Sequence, residues 1–329
     1  MTRTKLLITA FVGGLVSLAL ELTAGRLLAP AFGTTELVWS AVIGLILLYM
    51  SVGYAIGGRW ADRSARPATL YTLLVAAGLA IAIIPLISRP LLSVAARGMQ
   101  AFSIGLLLGP FAVILLLFAL PVTLLACVSP FAIRLAVDDV ADSGRTVGWF
   151  TAVSTLGSFL GTFLPNLVLI PNLGTRRTFL LLASLTLITG LWGLWHTARR
   201  RFWLCSWTLV VLIALTLQAP GTIKPVGAMA GTALAATELL YETESTYNFI
   251  QVIEDRTGRR YLLLNEGQGI HSVYTPPAAY QTEGEELALL TGGPWDYYLI
   301  APFFNPAPYP PEALDRVLVI GLAAGTTPT

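Results

Sequence analysis

Charge is scarce in this chain. Asp, Glu, Lys and Arg make up 12% of its 329 residues, about half the share of an ordinary soluble domain, while hydrophobic residues reach 55% and mean hydropathy is +0.74. That balance excludes an ordinary water-soluble globule and implies a membrane protein. Cysteine is nearly absent: Cys127 and Cys205 both lie inside apolar stretches, so neither a disulfide framework nor a thiolate metal site is indicated. Histidine is as rare, with His196 beside a basic helix end and His271 alone in the polar half, and no Ser-His-Asp or metal-ligand spacing surrounds His271. A nucleic-acid partner is not indicated, because the positive charge falls between apolar runs, where membrane topology accounts for it.

The small net charge of +2 conceals two unlike halves. Residues 1–223 hold 15 Lys/Arg against 6 Asp/Glu, and residues 224–329 hold 5 against 12. Windows free of all four charged residues run over 6–20, 37–58, 67–88, 98–133, 146–175, 178–198 and 202–223. A membrane-spanning helix needs about 20 apolar residues. Six windows meet that, and the first does if Glu21 is included, so the expectation is about seven helices in a transmembrane domain over 1–222, followed by a linker at 223–236. Arg3 and Lys5 ahead of the first apolar run resemble a signal peptide, but the spans that follow favour a retained helix.

Gly53 with Gly57, and Gly157 with Gly161, carry the four-residue spacing that lets helix backbones approach closely. Glu21 sits about fifteen residues into an apolar helix, with Arg26 one and a half turns later, and an unpaired charge there is expensive. Glu21 is therefore either a substrate or proton site or the partner of Arg26, or it lies at the membrane interface. Between the second and third windows, Gly57-Gly58-Arg59-Trp60-Ala61-Asp62-Arg63 resembles the G-x-x-x-D-R loop of major-facilitator transporters, which is cytoplasmic in that family. The positive-inside count agrees. The amino terminus and even-numbered loops hold Arg3, Lys5, Arg59, Arg63, Arg66, Arg134, Arg145 and Arg199 to Arg201. An amino terminus in the cytoplasm follows, and seven spans then place the polar half outside.

From Thr237 the sequence turns acidic and β-prone, and a small β-rich domain is expected over 237–310. Residues 247–254, then Thr257-Gly258, then 260–264 read as a hairpin. A short helical run is expected over 282–290. Val317-Leu318-Val319-Ile320 followed by Gly321-Leu322-Ala323-Ala324-Gly325-Thr326 reads as strand, Gly-rich turn and helix start, the beginning of a Rossmann-like α/β domain over 311–329.

Three segments in order, Glu244-Ser245-Thr246-Tyr247-Asn248-Phe249-Ile250-Gln251-Val252, Leu264-Asn265-Glu266-Gly267-Gln268-Gly269-Ile270-His271-Ser272, and Val317 to Gly321, resemble the spermidine synthases, more closely their membrane-fused branch. In that family a small β-domain with S-x-Y-Q and L-D-G-x-x-Q segments precedes a methyltransferase-like Rossmann domain whose first turn reads G-G-G-D-G. The resemblance implies aminopropyl transfer from decarboxylated S-adenosylmethionine to an amine, with methylthioadenosine as product and no covalently bound cofactor. Asn248 stands where the family has a Gln that helps hold the methylthioadenosine part, and Gln268 matches the second-segment Gln. Gly321, Ala323 and Gly325 fit the nucleoside-binding turn, while Ala324 replaces the Asp that binds the cationic acceptor. Gln281 lies near the polyamine-contacting Tyr-His of soluble members, and His271 is read as a substrate contact, with a general-base role and a structural hydrogen-bonding role both open.

The family's catalytic Asp is expected beyond Thr329, so the chain is read as truncated after the first Rossmann turn and inactive by itself. A multi-span transport or binding protein for polyamine-like solutes is the alternative, and a non-functional fragment a third. The expected partners are the lipid bilayer of a plasma or inner membrane, a small amine or nucleoside, and a second copy in a homodimer. On the side of the membrane two arguments oppose each other: the charge count exports the polar half, whereas the adenosyl donor is a cytoplasmic metabolite.

Overall fold

A computed structural model describes residues 2–101, 105–137, 143–218, 238–265, 270–276 and 296–297. The chain divides into two compact units. The first holds Met1–Pro225 together with Glu244–Tyr247, and the second holds Val226–Thr243 and Asn248–Thr329.

The first unit is helical: α1 (Arg3–Phe32), α2 (Glu36–Arg63), α3 (Pro67–Ala101), α4 (Gly105–Ala136), α5 (Ser143–Leu164), a π-helical turn (Pro165–Leu169), α6 (Ile170–Thr197) and α7 (Arg199–Gln218). Among the described residues five stretches are long and apolar enough to cross a membrane, Arg3–Phe32, Glu36–Arg63, Pro67–Ala95, Gly109–Ala136 and the 55-residue Ser143–Thr197. The last is interrupted at Gly174, whose φ of 80° breaks the helix just before the Arg176-Arg177 pair that separates the fifth and sixth apolar windows. Prolines stand inside α1, α3 and α4, as membrane helices tolerate when neighbours restore the lost bonding. Several buried Ser and Thr hydroxyls donate one turn back, as from Ser17 to Gly13 O (2.8 Å) and Thr186 to Leu182 O (2.7 Å).

Close packing runs along small-residue seams. α2 lies on α4, where a methyl group on Gly57 would meet the Cys127 backbone, and Cys127 Sγ donates to Gly53 O at 3.2 Å. α1 lies on α5, where a methyl group on Gly157 or Gly161 would collide with Phe11 O or Leu15 O, and Ser158 Oγ donates to Gly14 O at 3.2 Å. Both glycine pairs therefore act at helix contacts, as their spacing predicts. Tyr71, Phe118, Phe131, Phe150 and Phe179 fill the interior. Leu48, Leu116, Leu120, Leu156, Phe159 and Ile188 are each more than half exposed, an outward apolar surface of the kind that lipid covers.

One boundary differs from the sequence expectation. The Gly57–Arg63 run is not a loop, because α2 continues to Arg63 and only Ser64 to Arg66 connect it to α3. Gly57 and Ala61 are buried, and Trp60 meets Phe131 edge-on at 5.8 Å, so α4 supports these last turns. Asp62 pairs with Arg134 Nε at 3.6 Å.

The second unit contains a four-stranded sheet of β1 (Glu238–Glu244), β2 (Phe249–Glu254), β3 (Arg260–Leu264) and β4 (Ile270–Tyr274), in the order β1-β2-β3-β4. β2 and β3 form the expected antiparallel hairpin, with Ile250 opposite Leu264 and Glu254 opposite Arg260. Alternation along β2 buries Phe249, Gln251 and Ile253, and Leu263 and Val273 are buried on β3 and β4. Asp255 organises the turn. Its Oδ1 accepts from Thr257 N, Thr257 Oγ1 and Arg259 N, and its Oδ2 accepts from Tyr261 Oη at 2.8 Å.

Candidate functional site

The run Glu244-Ser245-Thr246-Tyr247-Asn248 is where the sequence resemblance to a nucleoside-binding segment begins, and the structure divides it. Residues Glu244–Tyr247 group with the helices. Arg26, near the end of α1, donates from Nη2 to Ser245 O at 2.6 Å and from Nη1 to Tyr247 O at 3.0 Å. The Glu244 carboxylate accepts from Thr175 N and, at 2.6 Å, from Thr175 Oγ1. Thr175 follows Gly174, so Glu244 caps a helix restart, where amide hydrogens lack intrahelical partners and the helix dipole favours an anion. Two charged side chains, one from α1 and one from the segment itself, thus fix four residues of connecting chain.

Arg26 is accordingly committed to carbonyls rather than to Glu21, and among the described residues no ion pair joins the two. Glu21 is half-buried on α1, one turn beyond Ser17. Ser17 lines a small cavity of about 40 Å³ among α1, α2, α4 and α5, together with Tyr54, Ser129, Ser154 and Ser158. Such a volume holds a water molecule or two, not an organic solute.

Asn248 opens the sheet side of the run. Its Oδ1 accepts from Asn265 Nδ2 at 2.9 Å, Asn265 Oδ1 accepts from Phe249 N at 3.0 Å, and Asn265 N donates to Phe249 O at 2.7 Å. Asn265 adopts φ 52°, a left-handed conformation that Asn tolerates better than most residues. The first and second family-like segments are thereby tied to each other at the open end of the β2–β3 hairpin. His271 is exposed on β4. Leu262 faces Ser272 while Leu263 faces Ile270, so His271 is the extra residue of a β-bulge, a feature that commonly re-aims a side chain. Gln251 is buried and donates Nε2 to Glu242 Oε2 at 3.1 Å.

The hairpin turn carries the perturbed titrations outside the helices. Asp255 is held below the ordinary carboxylate range: partial burial works against that, and the hydrogen bonds from Thr257, Tyr261 and Arg259 outweigh it. The Tyr261 hydroxyl is pushed up to about 12 by burial and by its hydrogen bond to Asp255. A tightly bonded turn explains both.

Gln268, Gln281, Gly321, Ala323 and Gly325 lie outside the described residues, as do the strand at 317–320, the helical run at 282–290 and the linker at 223–236. Sequence reasoning did not single out Thr175, Glu244 or Asn265. A Gly-Thr pair inside a helical pattern is a recognisable restart signal for the first, and an Asn closing a β-prone run for the last. Among the described residues no cluster of His, Cys, Asp and Glu could hold a metal ion. No protein-family model, curated protein or solved structure matches this chain.

Proposed function

We propose that the chain is a multi-pass protein of a plasma or inner membrane whose polar half is the β-domain of an aminopropyltransferase resembling the membrane-fused spermidine synthases. The observation that supports this reading is the Asn248–Asn265 hydrogen bond. It joins the two segments that the family places around the methylthioadenosine part of its donor, and both lie at the same end of one hairpin. In such a transfer the amine lone pair attacks the carbon beside the sulfonium, the C–S bond breaks and methylthioadenosine leaves, while the amine proton passes to a carboxylate base. Asn248, with Gln268, would hold the nucleoside, the turn at Gly321, Ala323 and Gly325 would admit it closely, and His271 and Gln281 would contact the amine. Thermal unfolding of the purified protein with methylthioadenosine tests this. The expected result is a rise in Tm that is reduced in Gln268→Ala. No shift at millimolar methylthioadenosine would sink the reading.

The alternative, transport of polyamine-like solutes by the helical half, is favoured by one observation. Glu21 is a half-buried carboxylate inside an apolar span, with no ion pair to Arg26 among the described residues, and such a group in a membrane helix marks a candidate solute or proton site. Polyamine uptake into proteoliposomes should then fall at least tenfold in Glu21→Gln. Equal uptake by both proteins would refute it.

A further inference from the structure

The start of α1, the start of α3 and the last turn of α6 surround a cavity of about 410 Å³. Lys5 comes from α1, Arg66, Pro67, Ala68 and Tyr71 from the α3 end, and His196 from α6. Among the described residues no carboxylate lines it. The Lys5 ammonium is half-buried, 5.3 Å from the centre of the Trp192 ring, so an aromatic face rather than an acid accompanies it. His196 holds its ring by donating from Nδ1 to Trp192 O at 2.8 Å, which leaves Nε2 for a ligand or water. Pro67 begins α3, a helix of 35 residues, and the Ala68 amide in its first turn has no intrahelical acceptor. Cationic side chains and the positive end of a helix dipole therefore converge on one half-open cavity.

The distribution of basic residues across a membrane accounts for the presence of Lys5 and Arg66 as it does for Arg3, Arg63 and Arg199 to Arg201; Arg66 and His196 are exposed like these, and Lys5 is half-buried. That distribution does not account for a cavity. Its volume falls within the range of small-molecule sites, and the Pro67, Ala68 and Tyr71 wall offers apolar contact to an organic group beside the cationic one. We propose that this cavity binds a phosphate ester, its anionic oxygens received by Lys5, Arg66 and the first turn of α3, with His196 as a further donor. The shared chemistry is the phosphate. Its source is either a lipid headgroup or a soluble phosphate, and the site is independent of any aminopropyl transfer.

Two assays on the detergent-purified protein separate the sources. Native mass spectrometry counts phosphatidylglycerol retained against phosphatidylcholine, and thermal unfolding is followed with inorganic phosphate and glycerol 3-phosphate. Preferential retention of phosphatidylglycerol with no effect of the soluble phosphates assigns a lipid headgroup, and the converse assigns a soluble ester. In either case Lys5→Gln and Arg66→Gln should weaken binding at least about tenfold, the loss expected for one charge-assisted hydrogen bond. Ala68→Phe, which fills the space and keeps every charge, should weaken it likewise and covers the case in which a charge variant does not fold. Arg200→Gln, outside the cavity, should bind as the parent does. Absence of binding by both ligand classes, or equal weakening in Arg200→Gln, would overturn the proposal.

Discussion

Replacing Glu244 by Ala should free the segment that it and Arg26 hold. The Glu244 carboxylate makes two charge-assisted hydrogen bonds to Thr175, one to the amide and one to the hydroxyl. Bonds of this kind are worth about 1.5–3 kcal/mol each when desolvated. Thr175 is buried but Glu244 itself is only half-buried, so water recovers part of that, and a local loss of about 2–3 kcal/mol is expected. An opening free energy reduced by that amount speeds amide exchange roughly 30- to 150-fold. The amides of Ser245, Thr246 and Tyr247 are the reporters, read by hydrogen–deuterium exchange of the detergent-solubilised protein. Arg26→Gln should act on the same amides, because it removes the donors to Ser245 O and Tyr247 O. If the two side chains grip one segment, the double variant should cost less than the sum of the singles, by about 0.5 kcal/mol or more. Unchanged exchange at 245–247 in Glu244→Ala would refute the clasp, and strict additivity would refute its acting as a unit.

Further expectations concern the turn and the helix seams. Asp255→Asn should destabilise the β2–β3 hairpin by about 1–2 kcal/mol, since the turn loses charge-assisted acceptance from Thr257, Arg259 and Tyr261. The depressed Asp255 titration contributes stability that is present above its ordinary value of 3.8 and lost as pH falls through the lower folded value, so acid unfolding of the hairpin should begin below about pH 4 in the parent and be blunted in the variant. Tyr261 has the opposite dependence: its neutral form is favoured by folding, so hairpin stability should fall between pH 10 and about 12, with ultraviolet absorbance reporting the phenolate. Gly157→Leu should part α1 from α5 at Phe11 and lower the detergent Tm by several degrees, whereas Gly148→Ala, with open space around it, should leave Tm unchanged.

The helical half was legible because one signal dominates it. Long runs without charge can be counted, and their gaps at 59–66 and 176–177 contain the α2–α3 connection and fall beside the Gly174 break. What the runs could not show was where a helix continues through charged residues. α2 carries Arg59, Asp62 and Arg63 because Gly57 and Ala61 are still buried, Gly57 against α4, and Asp62 pairs with Arg134 of that helix, so helical support depended on a neighbour and not on local hydropathy. The hairpin was legible for a local reason too, since Thr257-Gly258 between β-prone runs specifies a turn and Gly258 takes φ 81°. The Glu244–Thr175 contact joins residues 69 apart, and neither periodicity nor turn chemistry carries information over that separation.

Asn248 brings these strands of argument to a decision. The run that resembles a ligand-binding segment is already employed: Glu244 on a helix start, Ser245 and Tyr247 on Arg26, and Asn248 on Asn265. An amide that serves a nucleoside and one that closes a hairpin differ in the reach they need. Gln is the residue the resemblance leads one to expect here, and it is one methylene longer than Asn. Asn248→Gln therefore separates the roles. If the position serves methylthioadenosine, the longer amide should bind it as tightly as Asn or more so, with hairpin stability changed by less than about 1 kcal/mol. If the position serves Asn265, the Oδ1 acceptor moves out of its 2.9 Å contact, and the hairpin should lose about 1 kcal/mol, the net worth of a hydrogen bond, with no gain in ligand affinity. Calorimetric titration with methylthioadenosine beside urea unfolding of the same samples reads both quantities. A stable hairpin with undiminished nucleoside binding favours the transferase; a weakened hairpin that binds nothing leaves the segment a structural connection and turns attention to the helices.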